Sequence, residues 1–173
     1  TLRQVVIRVV YMPKQQRIRD PLHDLIEFDV SGSQVERVLW RDVQTRPFQR
    51  LRRVKQLGFS DFVYPGATHS RLLHSLGVFY TARRLMEVIR KSGAVPNDAA
   101  ASQALAAALV HDVGHGPFSH AFEDVGKRLQ LKMANHEIVS EKLIRDSEIT
   151  TELLELGSGF ANDVADMVTG NGR

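Results

Sequence analysis

The chain has 173 residues, 43% of them hydrophobic and 25% charged, with a formal net charge of +3. That is enough for one domain with a proper core and too little for two ordinary ones. The absence of cysteine excludes disulfides, zinc–thiolate sites and thiol nucleophiles, and the mild positive charge suits anionic ligands without by itself indicating nucleic acid.

A β-branched run over residues 5–11 predicts a short strand. Interrupted by Arg8, it is neither a signal peptide nor a membrane span, so a cytoplasmic protein with no membrane partner is expected. Arg17 to Asp20 reads as a polar loop, Asp20-Pro21-Leu22-His23 as a turn and Leu25 to Phe28 as a short extended piece. Ser33 with Glu36 resembles a capping box, ahead of Val35, Val38 and Leu39 at helical spacing. Thr45 is the expected N-cap of the next helix, on which Phe48, Leu51, Val54 and Leu57 share one face until Gly58 ends it. Between Arg37 and Lys55 there are seven basic residues against one acid, Asp42, and such a run is either a solvated helix face or a phosphate-binding surface.

Residues 59–67 form an aromatic loop with a Pro65-Gly66 turn. A long helix is predicted from near His69 to about residue 90, with His74 on its first turns and an apolar stripe from Leu72 to Ile89. Ser92-Gly93 stops it and Val95-Pro96 leads onward. Asp98 is the expected cap of a helix carrying seven alanines between residues 99 and 108, a composition that implies close packing on several sides. That helix ends at His111-Asp112. Gly114 and Gly116 fit a turn, and Pro117 fits the first turn of a helix through roughly 129. Asn135 caps another from His136 to about Arg145, two short helices lie near 150–156 and 160–168, and residues 170–173 read as a frayed end.

Three of the seven histidines, His111, His115 and His120, fall within ten residues, beside Asp112. If the helix starting near His74 packs antiparallel to the one ending at His111, the ligand set His74, His111 and Asp112 can converge. Imidazole and carboxylate suit divalent Mn, Fe, Ni or Zn and, less comfortably, Mg, and the carboxylate can bridge two ions. Such an ion acidifies bound water and polarises a phosphoryl oxygen. His115, His120 and His136 are then candidate proton donors or phosphate contacts. Arg71, one turn before His74, is placed to neutralise phosphate. These residues describe a metal-assisted phosphohydrolase and leave its substrate open.

The pattern His74…His111-Asp112 resembles the HD superfamily of phosphohydrolases. The strings Asp20-Pro21-Leu22-His23, Phe48-Gln49-Arg50-Leu51-Arg52, Lys55-Gln56-Leu57-Gly58, Tyr64 to His69, Arg71 to Val78, His111 to His120 and Asn135-His136-Glu137 are similar to its dNTP triphosphohydrolase branch. The resemblance implies a mainly α fold, a compact HD-domain helical bundle with a short N-terminal β segment, formed by residues 1–173 as one domain. It implies His74, His111 and Asp112 as metal ligands and His115, His136 and Arg71 as catalytic residues, with His115 or His136 supplying a proton. It further implies that Gln56, Leu57, Arg71 and His120 touch a nucleotide substrate, and that Arg50 and Arg52 lie by a regulatory nucleotide site between subunits of a homo-oligomer. The implied reaction converts a dNTP to a deoxynucleoside and tripolyphosphate.

Two departures accompany it. The family's fourth ligand, a second Asp beyond His136, has no matching string: Asp163 and Asp166 stand in a different context and read as helix-surface acids. The expectation is a chain truncated on its C-terminal side and weakly active or inactive alone, the missing initiator methionine agreeing with a fragment. Gln44 replaces the acid found in members activated by guanine nucleotides. Two other readings stand beside this one. The first is an HD-type phosphohydrolase or phosphodiesterase of another substrate. The second is a module that binds nucleotides or nucleic acid without turnover; only Phe48 interleaves the basic helix, so base stacking is poorly supplied.

Overall fold

The computed structural model describes residues 14–94 and 97–171. The strand predicted over residues 5–11 lies outside the described residues, as do Val95, Pro96 and the last two positions. The fold is mainly α with one small sheet, as the sequence implies. No described helix is long and apolar enough to cross a membrane.

Strands β1 (Gln16–Asp20) and β2 (Asp24–Phe28) form an antiparallel hairpin in which Ile18 faces Ile26. The loop expected at Arg17–Asp20 is therefore a strand. Arg17 and Arg19 point outward while Ile18 and Asp20 turn inward, a period of two that composition alone reads as polarity. At the turn, Asp20 accepts from the amides of Leu22 and His23 at 3.0 and 2.8 Å.

Helix α1 (Gln34–Gln44) is capped by Ser33, whose Oγ accepts from the Glu36 amide. The capping box is not reciprocal, because the Glu36 carboxylate accepts from the Asp29 amide instead. Thr45 precedes α2 (Arg46–Gln49) without capping it, its hydroxyl donating back to the Asp42 carbonyl at 2.7 Å. The long helix expected here is four α residues followed by a 3-10 turn, Arg50–Arg53. Phe48, Leu51 and Val54 are buried as predicted, but Leu57 is 48% exposed. Their three-residue spacing is the period of a 3-10 helix, not of an α-helix. Lys55 then pairs with Ser70 in an isolated antiparallel bridge before the chain turns, with Arg71 N–H donating to the Val54 carbonyl and Gln56 N–H to that of His69.

Helix α3 (Arg71–Lys91) starts at an Ser70 cap, and its apolar stripe is buried only in the first half: Leu72, Leu76 and Phe79 are enclosed, Leu85 and Val88 exposed. Helix α4 (Asp98–Val110) is capped by Asn97, which accepts from the Ala99 amide; the expected cap, Asp98, is the first helical residue. Of the alanine-rich surface, Ala99 and Ala100 are exposed and the second half of α4 packs against α3 and α8. Helix α5 (His120–Arg128) starts later than Pro117, because Phe118 and Ser119 both have positive φ, +62° and +55°, which no helix accommodates. Helix α6 (His136–Arg145) has the predicted Asn135 cap, and α7 (Glu148–Leu153) and α8 (Phe160–Val168) complete the chain. One buried cluster joins the layers, with Phe28 stacked on Phe79 at 4.7 Å.

Candidate metal centre

His74 lies on the opening turns of α3, and His111 is the C-cap of α4. The start of one helix meets the end of the other, as antiparallel packing requires: the two rings lie 5.4 Å apart. His74 Nε2 is 3.6 Å from Asp112 Oδ2, and His111 Nε2 is 3.3 Å from Asp112 Oδ1. One ligand atom from each residue lies within 4.8 Å of the others. His111 Nδ1 sits 3.0 Å from the Ala108 carbonyl. A hydrogen on that nitrogen leaves the Nε2 lone pair for a ligand, the arrangement found behind metal-binding histidines.

Asp112 is buried, and burial by itself raises its pKa. The hydrogen bond from His115 and the neighbouring His111 and Arg71 outweigh that and hold the carboxylate well below its usual range. It is an anion ready for a cation. Arg71, 2% exposed, bonds Asp112 through Nη1 and Ser119 Oγ through Nε at 3.1 Å, while Nη2 reaches the Gln56 carbonyl at only 3.4 Å. Gln56 is thereby tied to Arg71 and Ser119, and Leu57 follows it toward solvent.

A second group meets the same carboxylate. His115, 2% exposed, has Nε2 at 3.5 Å from Asp112 Oδ1 and its ring stacked on His136 at 3.8 Å. Burial pushes the His115 pKa down, against the pull of Asp112. His136 Nδ1 donates to Glu123 Oε1 at 2.5 Å, and His120 Nδ1 lies 3.5 Å from Glu123 Oε2. Glu123 is the residue that sequence reasoning missed. It is 7% exposed and central to three histidines, and the available signal was an acid three residues after His120 on a predicted helix. The combinations Asp112, His115, His136 and His120, Glu123, His136 also bring ligand atoms close enough for an ion.

The loop between these groups is closely packed. A Cβ on Gly114 would lie 2.3 Å from the His136 carbonyl and the Ser140 amide, so only glycine lets α6 approach. Ser140 Oγ accepts from Gly114 N–H and donates to the His111 carbonyl. Arg50 and Arg52 are both exposed residues, but the guanidinium of Arg50 also reaches back to donate to the carbonyls of Val113 and His115 at 2.5 and 2.7 Å. Asp163 accepts from Gln103 and Asp166 from Arg145, and neither joins His74, His111 and Asp112 among the described residues. Beside His74 a cleft of about 640 Å³ opens between the 21–23 turn and α3, lined by His23, His69, Leu73, Gly77 and Leu85.

The HD domain family matches residues 71–171. The chain is 35% identical over 157 residues to the uncharacterized protein YwfO of Bacillus subtilis, covering 91% of this chain and 34% of that protein. It is 46% identical over 110 residues to the deoxynucleoside triphosphate triphosphohydrolase SAMHD1 of Bos taurus, covering 61% of this chain and 17% of that enzyme. A crystal structure of a hypothetical protein from Aquifex aeolicus superposes with a TM-score of 0.72 at 30% identity, over 92% of this chain and 38% of the other. The chain thus spans well under half the length of each of these proteins.

Proposed function

The chain belongs to the HD domain family, and on that premise we propose that its residues form the single HD domain of a metal-dependent phosphohydrolase acting on nucleotides, a dNTP triphosphohydrolase. The observation that carries this reading is the convergence of His74, His111 and Asp112 from two helices onto one buried carboxylate. The donor set fits a divalent ion: two imidazoles, one with its far nitrogen against a carbonyl, and a carboxylate held in its charged form. When bound, such an ion polarises a phosphoryl oxygen and lowers the pKa of water.

The chain's own residues supply the rest. Arg71 holds Asp112 in place, and its Nη2 edge, bound only by the long contact to Gln56, is the edge it offers to a phosphate oxygen. His115 and His136 are face to face, and the His136 ring adds to the burial that holds the His115 pKa down. Glu123 fixes the hydrogen of His136 on Nδ1 and leaves Nε2 for proton transfer. His120, largely exposed, meets the outer phosphate, while Gln56 and Leu57 border the nucleotide's sugar. The similarity to SAMHD1 enzymes supports dNTPs as substrates. Homo-oligomerisation and a nucleotide contact at Arg52 belong to the same proposal.

The test is incubation of the protein with Mn2+ or Mg2+ and each dNTP in turn. Release of tripolyphosphate, lost in His111→Ala, is expected. Metal binding without turnover of any nucleotide would transfer the reading to another phosphorylated substrate. Nucleotide or RNA binding without stoichiometric metal would favour a binding module. That second reading draws on exposed Arg52 and Arg53 and on the exposed rings of Phe59, Phe62 and Phe118.

A further inference from the structure

The loop from His111 to Ser119 carries Asp112 and His115 outside any helix. Its own short-range bonds are few, such as Val113 N–H to the Val110 carbonyl and His115 N–H to that of Asp112. Ser140 grips one side, through Gly114 and His111. The carbonyls of Val113 and His115 are gripped by two nitrogens of one guanidinium, Arg50, from more than sixty residues earlier in the chain. Two carbonyls spaced i, i+2 match the fork of an arginine; the point charge of a lysine holds one of them well at most.

Among the described residues the Arg50 guanidinium bonds main-chain carbonyls and no ligand-capable side chain. It acts on the main chain that aims Asp112 and His115. Its own backbone lies in the Arg50–Arg53 turn, anchored by buried Leu51, with Arg52 and Arg53 facing solvent. We propose that Arg50 is a positioning residue for the reaction: it fixes the His111–Ser119 loop from behind, and so makes the basic surface of residues 50–53 mechanically continuous with the metal centre. This rests on the reading of Asp112 as a metal ligand and His115 as a proton carrier. It gives Arg50, for which the sequence resemblance implied a regulatory nucleotide contact, an inward bracing role as well.

The experiment compares Arg50→Ala and Arg50→Lys with the parent protein. In Arg50→Ala, kcat for dNTP hydrolysis is expected to fall by about ten- to a hundred-fold, the scale of a small misplacement of catalytic groups. KM should stay within about threefold and Mn2+ stoichiometry should be kept, because no substrate contact is removed. Methylguanidine added to the alanine variant should restore part of kcat, which a general loss of folding would not allow. Arg50→Lys should fall between the two. A second readout needs no turnover: the imidazole NMR resonances of His115 and His136 should shift in Arg50→Ala and move back with methylguanidine. If the parent hydrolyses no nucleotide, the phosphohydrolase reading fails while the NMR arm still decides the role of Arg50. Unchanged His115 resonances in a folded Arg50→Ala, full activity in Arg50→Lys, or a loss that methylguanidine does not relieve would each overturn the proposal.

Discussion

Glu123→Gln is the substitution that most directly probes the histidine group. The side chain keeps its shape and loses its charge. In the parent, one oxygen accepts from His136 Nδ1 at 2.5 Å and the other lies 3.5 Å from His120 Nδ1. A glutamine can still accept from one ring, but its amide nitrogen then faces the other as a donor. Hydrogen bonds to charged groups contribute about 1.5–3 kcal/mol and neutral ones about 0.5–1.5 kcal/mol. The variant therefore loses roughly 1–1.5 kcal/mol of orienting energy at His136, which corresponds to about a tenfold fall in kcat. Metal content should not change, since Glu123 is not part of the His74, His111, Asp112 set. The assay is tripolyphosphate release under saturating dNTP, with bound metal measured on the same sample. A kcat within twofold of the parent would refute the orienting role, and loss of metal would show that Glu123 belongs to the ion's own site. Stability supplies a check of sign. The hydrogen bond from His136 holds the Glu123 carboxyl below its ordinary value, although burial, the larger single influence, opposes it. A depressed acid contributes stability above its unfolded pKa and loses it as pH falls through the folded one. Acid lability below the ordinary glutamate range should therefore be milder in Glu123→Gln.

Asp42 is fully buried on α1, and neither carboxylate oxygen has a hydrogen-bond partner among the described residues. Burial, and then the charge of Glu152, pushes its pKa well up, against the pull of Arg41. Stability from this group falls as pH rises above the ordinary aspartate value toward the folded one. Asp42→Asn removes the titration, and its stability to thermal unfolding should match the parent near pH 4 and exceed it at pH 8; equal pH dependence in both would refute the assignment. Gly114→Ala should lower the unfolding free energy measured in urea by about 1–3 kcal/mol, the usual scale of overpacking, because the new methyl collides with α6 backbone. A value equal to the parent's would mean that α6 yields freely there.

The helices were readable from the sequence wherever a cap and an apolar period agreed, as at Ser33 and Asn135. The proposed ligands His74, His111 and Asp112 stand out in the sequence because an adjacent His-Asp pair at a helix end has little else to do, and the structure brings the three together. Elsewhere the local signal was ambiguous. Arg17 and Arg19 look like loop residues until β2 is known to lie alongside. The three-residue spacing of Phe48, Leu51 and Val54 was taken as an α face when it belonged largely to a 3-10 turn. Asp98 is the cap the sequence suggests, and its neighbour Asn97 takes the position instead. Arg50 and Glu123 were illegible in a deeper sense. Each is a charged residue on a short helical element, indistinguishable there from a solvated one, and its role comes from partners far along the chain.

That distance bears on how the centre comes into being. Arg71 reaches Asp112 across 41 residues, Arg50 reaches His115 across 65, and Gly114 reaches Ser140 across 26. The α3–α4 pair brings His74, His111 and Asp112 together, but the groups that brace and complete the centre, Arg50, Glu123, His136 and Ser140, lie outside that pair, so it cannot be finished on a local fragment while the rest is still searching. Its loop closures are made when α3, α4 and α6 dock, and the entropy of those closures is spent by the whole core. Affinity for an ion at this place is then a property of the completed tertiary structure, and a bound ion would act on the folding equilibrium as a ligand of the native state alone.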